Sequence, residues 1–259
     1  MVTPPLALLL GVLVAGVAWR ARSLSTSGAI AAAAVGAAVL AGAGWWGGVA
    51  LVTFFVGSST VSRLCPDPAA ASGETKGGER DAGQVLANGG APAAGALLGL
   101  LAPGASLWIV TMGLAAAAAD TWATSFGALS RTPPRSIVSG KRVPPGTSGG
   151  VTMVGSLGGI LGATTLALIG RLATRDPRLA TGALLIGTAG MFLDSLLGAL
   201  AQARFHCPNC DVTTERPVHR CGARTVQIGG IRWLTNDGVN ALATSAATFA
   251  GWWWWRCWS

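Results

Sequence analysis

Apolar residues run along this chain in continuous blocks rather than in alternation, near 5–19, 28–43, 45–61, 84–102, 106–130, 148–170, 180–203 and 236–255. Blocks of this kind approach the roughly 20 residues an α-helix needs to cross a bilayer core of about 30 Å. A transmembrane barrel would instead alternate apolar and polar positions along each strand. The pattern predicts an all-α fold: a polytopic transmembrane helix bundle of about eight spans, or seven if one of the shortest blocks is re-entrant or interfacial. The whole of 1–259 reads as a single membrane domain. Its long polar interruptions, 62–83, 131–147 and 204–235, are rich in Gly, Pro and charge.

The first block has no basic residue before it, while Arg20 and Arg22 follow it. A cleavable signal peptide has the opposite charge order, so the block is expected to be a retained span with the N-terminus outside. Charge across the remaining loops agrees. With eight spans, the odd-numbered loops hold fourteen of the eighteen Lys and Arg residues. The positive-inside rule then puts those loops in the cytoplasm and the protein in the inner (cell) membrane. Trp45, Trp46, Trp108 and the run Trp252 to Trp255 fall near the opposite interface, where indoles form belts.

Composition sharpens the class. The chain is 51% hydrophobic and only 11% charged, against about a quarter charged in soluble domains. Its 38 glycines suit helices that approach closely in lipid. A net charge of +8 raises nucleic acid as a partner. The basic residues are scattered among loops, however, with no clustered basic and aromatic surface, which argues against it.

Two of the ten acidic residues, Asp120 and Asp194, stand in the middle of apolar blocks. A carboxylate costs several kcal/mol in lipid, so such residues face a protein interior and mark a polar or ion-binding site. Asp237 opens the last block from the same side, with Asn88, Asn236 and Asn240 offered nearby. Oxygen-rich, histidine-free sets suit a hard cation, and Mg²⁺ takes one or two carboxylates with substrate phosphates. The bland alternatives are intramembrane pairing with Ser, Thr or Arg, helix capping by Asp237, or a proton or ion path.

Two loops look suited to phosphate. In KGGERDAGQVLANGG (76–90), Lys76 and Arg80 precede a helix start marked by the capping-box spacing of Asp81 and Gln84. Gln84 and Asn88 then fall on the helical face of Asp81. In KRVPPGTSGG (141–150), Lys141 and Arg142 precede a Gly/Pro turn with Gly146, Thr147 and Ser148, expected to lead into a helix whose N–H groups hold an anion. Either segment also reads as an ordinary basic flank and turn, and neither is a Walker motif. The loop 204–235 carries Cys207, Cys210, His219 and Cys221, a pattern resembling a structural Zn²⁺ site, with reduced thiols or a disulfide as alternatives.

Five stretches together, RDAGQVLANGG (80–90), AADTWATSFGALS (118–130), VPPGTSGGVTMVGSLGG (143–159), LDSLLGALAQ (193–202) and GGIRWLTNDGVN (229–240), resemble the integral-membrane family, formerly of unknown function, that contains plant phytyl-phosphate kinase and animal transmembrane protein 19. The resemblance implies a multi-span membrane protein. For the plant member it implies a kinase that makes an isoprenyl diphosphate from the monophosphate with a nucleoside triphosphate such as CTP. One departure stands out: relatives commonly carry Asp-Thr-x-x-Ser/Thr-Glu, and this chain has Ser125 at the glutamate position.

The expected function is therefore membrane isoprenyl-phosphate kinase activity. Asp120, Asp194 and Asp237 would hold Mg²⁺. Lys76, Arg80, Lys141 and Arg142 would neutralise nucleotide phosphates, and a prenyl phosphate in the membrane lipid would be the acceptor. A transporter or flippase with an intramembrane Asp ion path is the alternative of another class, and a membrane cytidylyltransferase is a second.

Overall fold

The computed structural model describes residues 2–65, 78–102 and 104–258. Over these residues the chain is mostly helical, with seven α-helices and five short strands. The helices are α1 (Pro4–Arg20), α2 (Thr26–Leu64), α3 (Ala82–Leu98), α4 (Ala105–Gly127), α5 (Met153–Thr174), α6 (Pro177–Leu200) and α7 (Asn236–Trp258). A 3₁₀ turn, Gly99–Leu101, extends α3. Four of them are long and apolar enough to cross a membrane: α2, α3 with its 3₁₀ turn, α5 and α6.

Helix α2 is not one rod. Gly44 sits at φ 67 and ψ −161, a conformation open essentially only to glycine. A straight helix of 39 residues would hold its ends roughly 55 to 60 Å apart. Yet the Arg63 guanidinium donates to Ser23 Oγ at 2.7 Å and to the Ala21 carbonyl at 3.4 Å. The two arms therefore fold back at Gly44. Counting them separately gives eight helical segments among the described residues.

Local signals set most helix starts. α1 begins on two prolines, where a missing N–H costs nothing. α3 starts at a complete capping box: Gln84 N–H donates to Asp81 Oδ1 at 3.0 Å, and Asp81 N–H donates to Gln84 Oε1 at 3.3 Å. α6 is capped by Asp176, whose Oδ1 accepts from Arg178 N–H at 2.8 Å, with Pro177 at its first position.

Packing relies on small residues. α1 lays Ala7, Gly11, Ala15 and Ala18 on α2, and leaves Leu8, Leu9, Val12 and Leu13 exposed. α4 is the centre of the bundle. It packs against α2, α3, α5, α6 and α7, and Trp108 to Ala119 are all buried. A helix apolar all round and enclosed by others can carry a carboxylate at its inner end. Glycines admit its neighbours: a Cβ on Gly159 of α5 would stand 2.8 Å from the Ala119 carbonyl oxygen.

Two expectations change. The block 148–170 does not begin as helix, because β1 (Arg135–Ser136) pairs antiparallel with β2 (Gly150–Val151) before Thr152 caps α5 through Gly155 N–H at 2.9 Å. The block 180–203 is shifted, and α6 ends at Leu200 because Ala203 N–H pairs with the Leu234 carbonyl. The fold is thus mostly helical with two small sheets in loops. The second sheet has the order β4-β3-β5, from β3 (Arg204–Cys207), β4 (Val212–Thr214) and β5 (Val226–Gly229).

The bundle has two unlike ends. Among the described residues, the connections 21–25, 128–152 and 201–235 lie at one end with Leu64 and Arg80, and the other end holds Gly44, 99–102 and 175–176.

Candidate functional site

Four helices each bring a polar side chain a short way in from the loop end. Asn88 lies six residues after the start of α3, and Asn240 four after the start of α7. Asp120 lies seven residues before the end of α4, and Asp194 six before the end of α6. At about 1.5 Å per residue, all four sit roughly 6 to 10 Å below that end. They line one cleft with Thr244, and Ala116, Ala117, Gly190 and Ala243 complete its walls. These side chains close tightly on one another and leave no space for a water-sized sphere between them. A nucleotide base or a prenyl chain would therefore lie outside it.

The donors are hard oxygens. Both aspartates are half-buried. Asn88 Nδ2 donates to the Gln84 carbonyl at 2.9 Å, which leaves its amide oxygen for another partner. Asn240 Oδ1 is buried without a hydrogen-bond partner. Leaving an acceptor so placed costs about 1–3 kcal/mol unless something occupies it.

The remaining predicted residues fall into three groups. Asp237 is in the first turn of α7, one turn before Asn240, and does not line the cleft. It faces α3 instead: a Cβ on Gly83 would lie 3.2 Å from Asp237 Oδ2 and 3.3 Å from Asp81 Oδ1. Nor is Asp237 the helix cap, since Thr235 Oγ1 accepts from Gly238 N–H at 3.4 Å. The three aspartates are therefore not one ligand set; among the described residues, only cysteines and a histidine bring three or more such groups within reach of one ion. Asn236 opens α7 beside Asp237.

Arg80 is half-buried at the entrance to α3, pinned by backbone bonds to Ser23 and Ser25 at 3.0 Å. Its guanidinium lies 5.7 Å from the Phe55 ring centroid. Burial first, then the charge of Arg63, pulls its pKa down from the usual arginine value. Gln84 is used as the capping partner of Asp81. Lys76 lies outside the described residues.

The 141–150 segment departs from its expected role. Lys141 and Arg142 are exposed in the β1–β2 hairpin. Gly146 (φ 80) and Thr147, whose hydroxyl donates to the Pro144 carbonyl at 2.7 Å, form a turn that leads into β2 and not into a helix N-terminus. Ser148 Oγ donates to Glu215 Oε1 at 2.6 Å. Gly149, at φ +76, presses onto α6: a Cβ there would meet Ala199 and stand 2.7 Å from the Ser195 carbonyl oxygen. The segment thus acts as a strut beside the helix that carries Asp194.

Sequence reasoning missed Thr244, Arg63 and Glu215. Thr244 lies four residues beyond Asn240, so helical periodicity signals it. Arg63 and Glu215 carry no local signal; their partners are distant in the chain. Ser125, at the position of the usual glutamate, is buried and lies 3.3 Å from Ser62 Oγ, a neutral contact between α4 and α2.

A second cluster lies in the loop sheet. Cys207, Cys210, His219 and Cys221 bring one ligand atom each to within 4.8 Å of all the others. His219 Nδ1 is 3.2 Å from Cys221 Sγ, and this contact holds the Cys221 thiol down at about 6. Cys210, hydrogen-bonded to Cys221, is pushed up to about 11. Cys65 and Cys257 are free thiols elsewhere.

Residues 9–248 match the family model described as integral membrane protein DUF92. The chain is similar to an uncharacterized membrane protein of Methanocaldococcus jannaschii, 33% identical over 187 residues, which is 71% of this chain and 77% of that protein. It is also similar to Protein PGR of Arabidopsis thaliana, 29% identical over 275 residues, covering 94% of this chain and 93% of that protein. No solved structure matches it significantly.

Proposed function

The chain belongs to the DUF92 family of integral membrane proteins, and from that premise we propose that it is a prenyl-phosphate kinase working at the loop end of its bundle. The observation that carries this reading is the meeting of Asp120, Asp194, Asn88 and Asn240 in one small cleft just inside that end. In the proposed topology each of the eight segments crosses the membrane, the N-terminus is outside, and the loop end faces the cytoplasm. The concentration of Lys and Arg in the loop-end connections supports that orientation.

The donor set fits Mg²⁺. Two carboxylates with an unpartnered amide oxygen match an ion that takes one or two carboxylates, waters and phosphate oxygens. Asp120 and Asp194 would hold it, and bound there it would neutralise charge on the phosphates. Asn88 and Asn240 orient ligands around it. Arg80 and Arg63, at the entrance to α3, and Lys141 and Arg142, on the hairpin, supply positive charge for the nucleotide phosphates. A terminal oxygen of the prenyl monophosphate attacks the γ-phosphorus, the bond to the β–γ bridging oxygen breaks, and the nucleoside diphosphate leaves. A phosphate monoester is already nucleophilic, so positioning and charge stabilisation suffice. The absence of a glutamate at Ser125 is compatible with this, because no strong base is required.

The test is transfer of label from γ-labelled CTP to phytyl or geranylgeranyl phosphate by the protein in membranes with Mg²⁺. Asp120→Asn and Asp194→Asn are expected to abolish it. Unchanged transfer in both variants removes the cleft from the reaction. Label from α-labelled CTP in the lipid product identifies a cytidylyltransferase, and prenyl-phosphate flux into proteoliposomes without nucleotide identifies a transporter.

A further inference from the structure

The loop sheet contains chemistry that lipid phosphorylation does not use. β3 runs into a tight turn in which Asp211, at φ 53, donates its N–H to the Cys207 carbonyl at 2.9 Å, presenting Cys207 and Cys210 on one side. A second tight turn faces it. There Gly222, at φ 83, donates to the His219 carbonyl at 2.9 Å, and His219 N–H bonds the Ala223 carbonyl at 3.0 Å. Two knuckles of this kind, each offering two ligands, are the usual scaffold of a small metal-bound ribbon.

The distances separate the possible states. Cys207 and Cys221 have sulfurs 3.7 Å apart. Two thiolates held at about 2.3 Å by a tetrahedral Zn²⁺ stand about 3.8 Å apart. A disulfide would require about 2.05 Å. Three thiols and one imidazole nitrogen form a soft set, suited to Zn²⁺ and poor for Mg²⁺ or Ca²⁺.

The stability of the sheet gives a second reason. Its strands are three or four residues long, and Val218, Val226, Ile228 and Trp233 are exposed. A ribbon of about 30 residues with so little buried apolar area needs a staple. Its distal end has only Phe205 and Cys207 as buried apolar side chains on β3. That ribbon nonetheless holds Glu215 at the point where it accepts the Ser148 hydrogen bond.

We propose that Cys207, Cys210, His219 and Cys221 bind one Zn²⁺ as a closed tetrahedral site, and that this metal fixes the ribbon so that Glu215 clamps the 147–150 turn onto the end of α6. With four protein ligands the site has no open position, so its role is structural. The clamp acts on the helix that carries Asp194, yet the proposal does not depend on what reaction, if any, occurs in the cleft.

The full-length protein, purified in detergent with reduced thiols and without added chelator, is expected to contain one zinc per chain by elemental analysis. Exchange with Co²⁺ is expected to give thiolate-to-cobalt charge-transfer absorption and intense tetrahedral d–d bands. The Cys210→Ser, Cys221→Ser double variant loses both signals. Should that variant fail to fold, stripping the wild type with a strong chelator, with helical circular dichroism as the fold control, serves instead. Tryptic cutting at Lys141 and Arg142 is expected to rise about five-fold or more on stripping, as a local unfolding event. Glu215→Gln should also raise it while retaining zinc. Wild-type protein without metal, or with a Cys207–Cys210 disulfide by mass, overturns the site. Zinc retained with cutting unaffected by stripping overturns the clamp.

Discussion

The two ends of this bundle are built from the same helices and do opposite things with them. At the short end the chain turns on Gly44, on a 3₁₀ turn with Gly104 at φ 96, and on Arg175–Asp176. Side chains close the gaps. Trp254 Nε1 donates to the Arg178 carbonyl at 3.0 Å, and the Arg178 guanidinium lies 4.9 Å over the Trp258 ring. At the long end the connections carry most of the cations, two small sheets and the cluster of three cysteines and a histidine. Polar groups there descend between the helices. Where turns are short, backbone and side chains satisfy each other; where loops are long, polar side chains from four helices gather around one cleft. The polar side chains and the Cys/His cluster are thus concentrated at one end.

Substitutions that distinguish the ends test this directly. The largest effect is expected from Asp120→Asn and Asp194→Asn, each lowering prenyl-phosphate phosphorylation at least about 100-fold while the detergent-purified protein keeps its melting temperature. A loss of activity that tracks a loss of folded protein would mean the aspartates are structural. Next, Gly149→Val places a Cβ against Ala199 and the Ser195 carbonyl at a φ that branched residues avoid. It should cost the strut about 2–4 kcal/mol, read as earlier thermal inactivation together with roughly ten-fold lower turnover.

A smaller change probes Asp237. Gly83→Ala brings a methyl to 3.2 Å from Asp237 Oδ2 without touching the cleft walls. If Asp237 assists the site, turnover falls about three- to five-fold with KM for the prenyl phosphate little changed. Equal rates in variant and wild type would exclude it. The smallest effect belongs to the short end. Trp254→Phe removes one hydrogen bond and should lower stability by about 1 kcal/mol, with turnover of the remaining folded protein unaltered. A large activity loss there would dissolve the contrast between the ends.

Much of the helix pattern is legible in the sequence because its causes are local. The break at 44, the capping box of Asp81 and Gln84, and the prolines opening α1 and α6 act within a few residues. Counting inward from the loop ends also brings Asp120, Asp194, Asn88 and Asn240 to one depth, since helical rise is constant. Other features follow from distant segments. The start of α5 moved to Met153 because 150–151 found strand partners at 135–136. Ser148 met Glu215, 67 residues away, and Arg63 met Ser23, 40 residues away. No window along the chain contains both partners, so no local pattern records them.

The sequence by itself determined that this is a helical membrane protein, where its chain breaks at 44 and α3 begins, and which few acids lie among apolar residues. Hydrophobic length, glycine at a forbidden φ and capping chemistry act on neighbours and need no fold to be read. Only the tertiary structure decided that α4 lies at the centre, that Asp120 and Asp194 share a cleft while Asp237 turns toward α3, and that the cysteine ribbon reaches the strut beside α6. Those outcomes depend on which faces pack together, and small residues such as alanine and glycine leave that choice open until the helices meet.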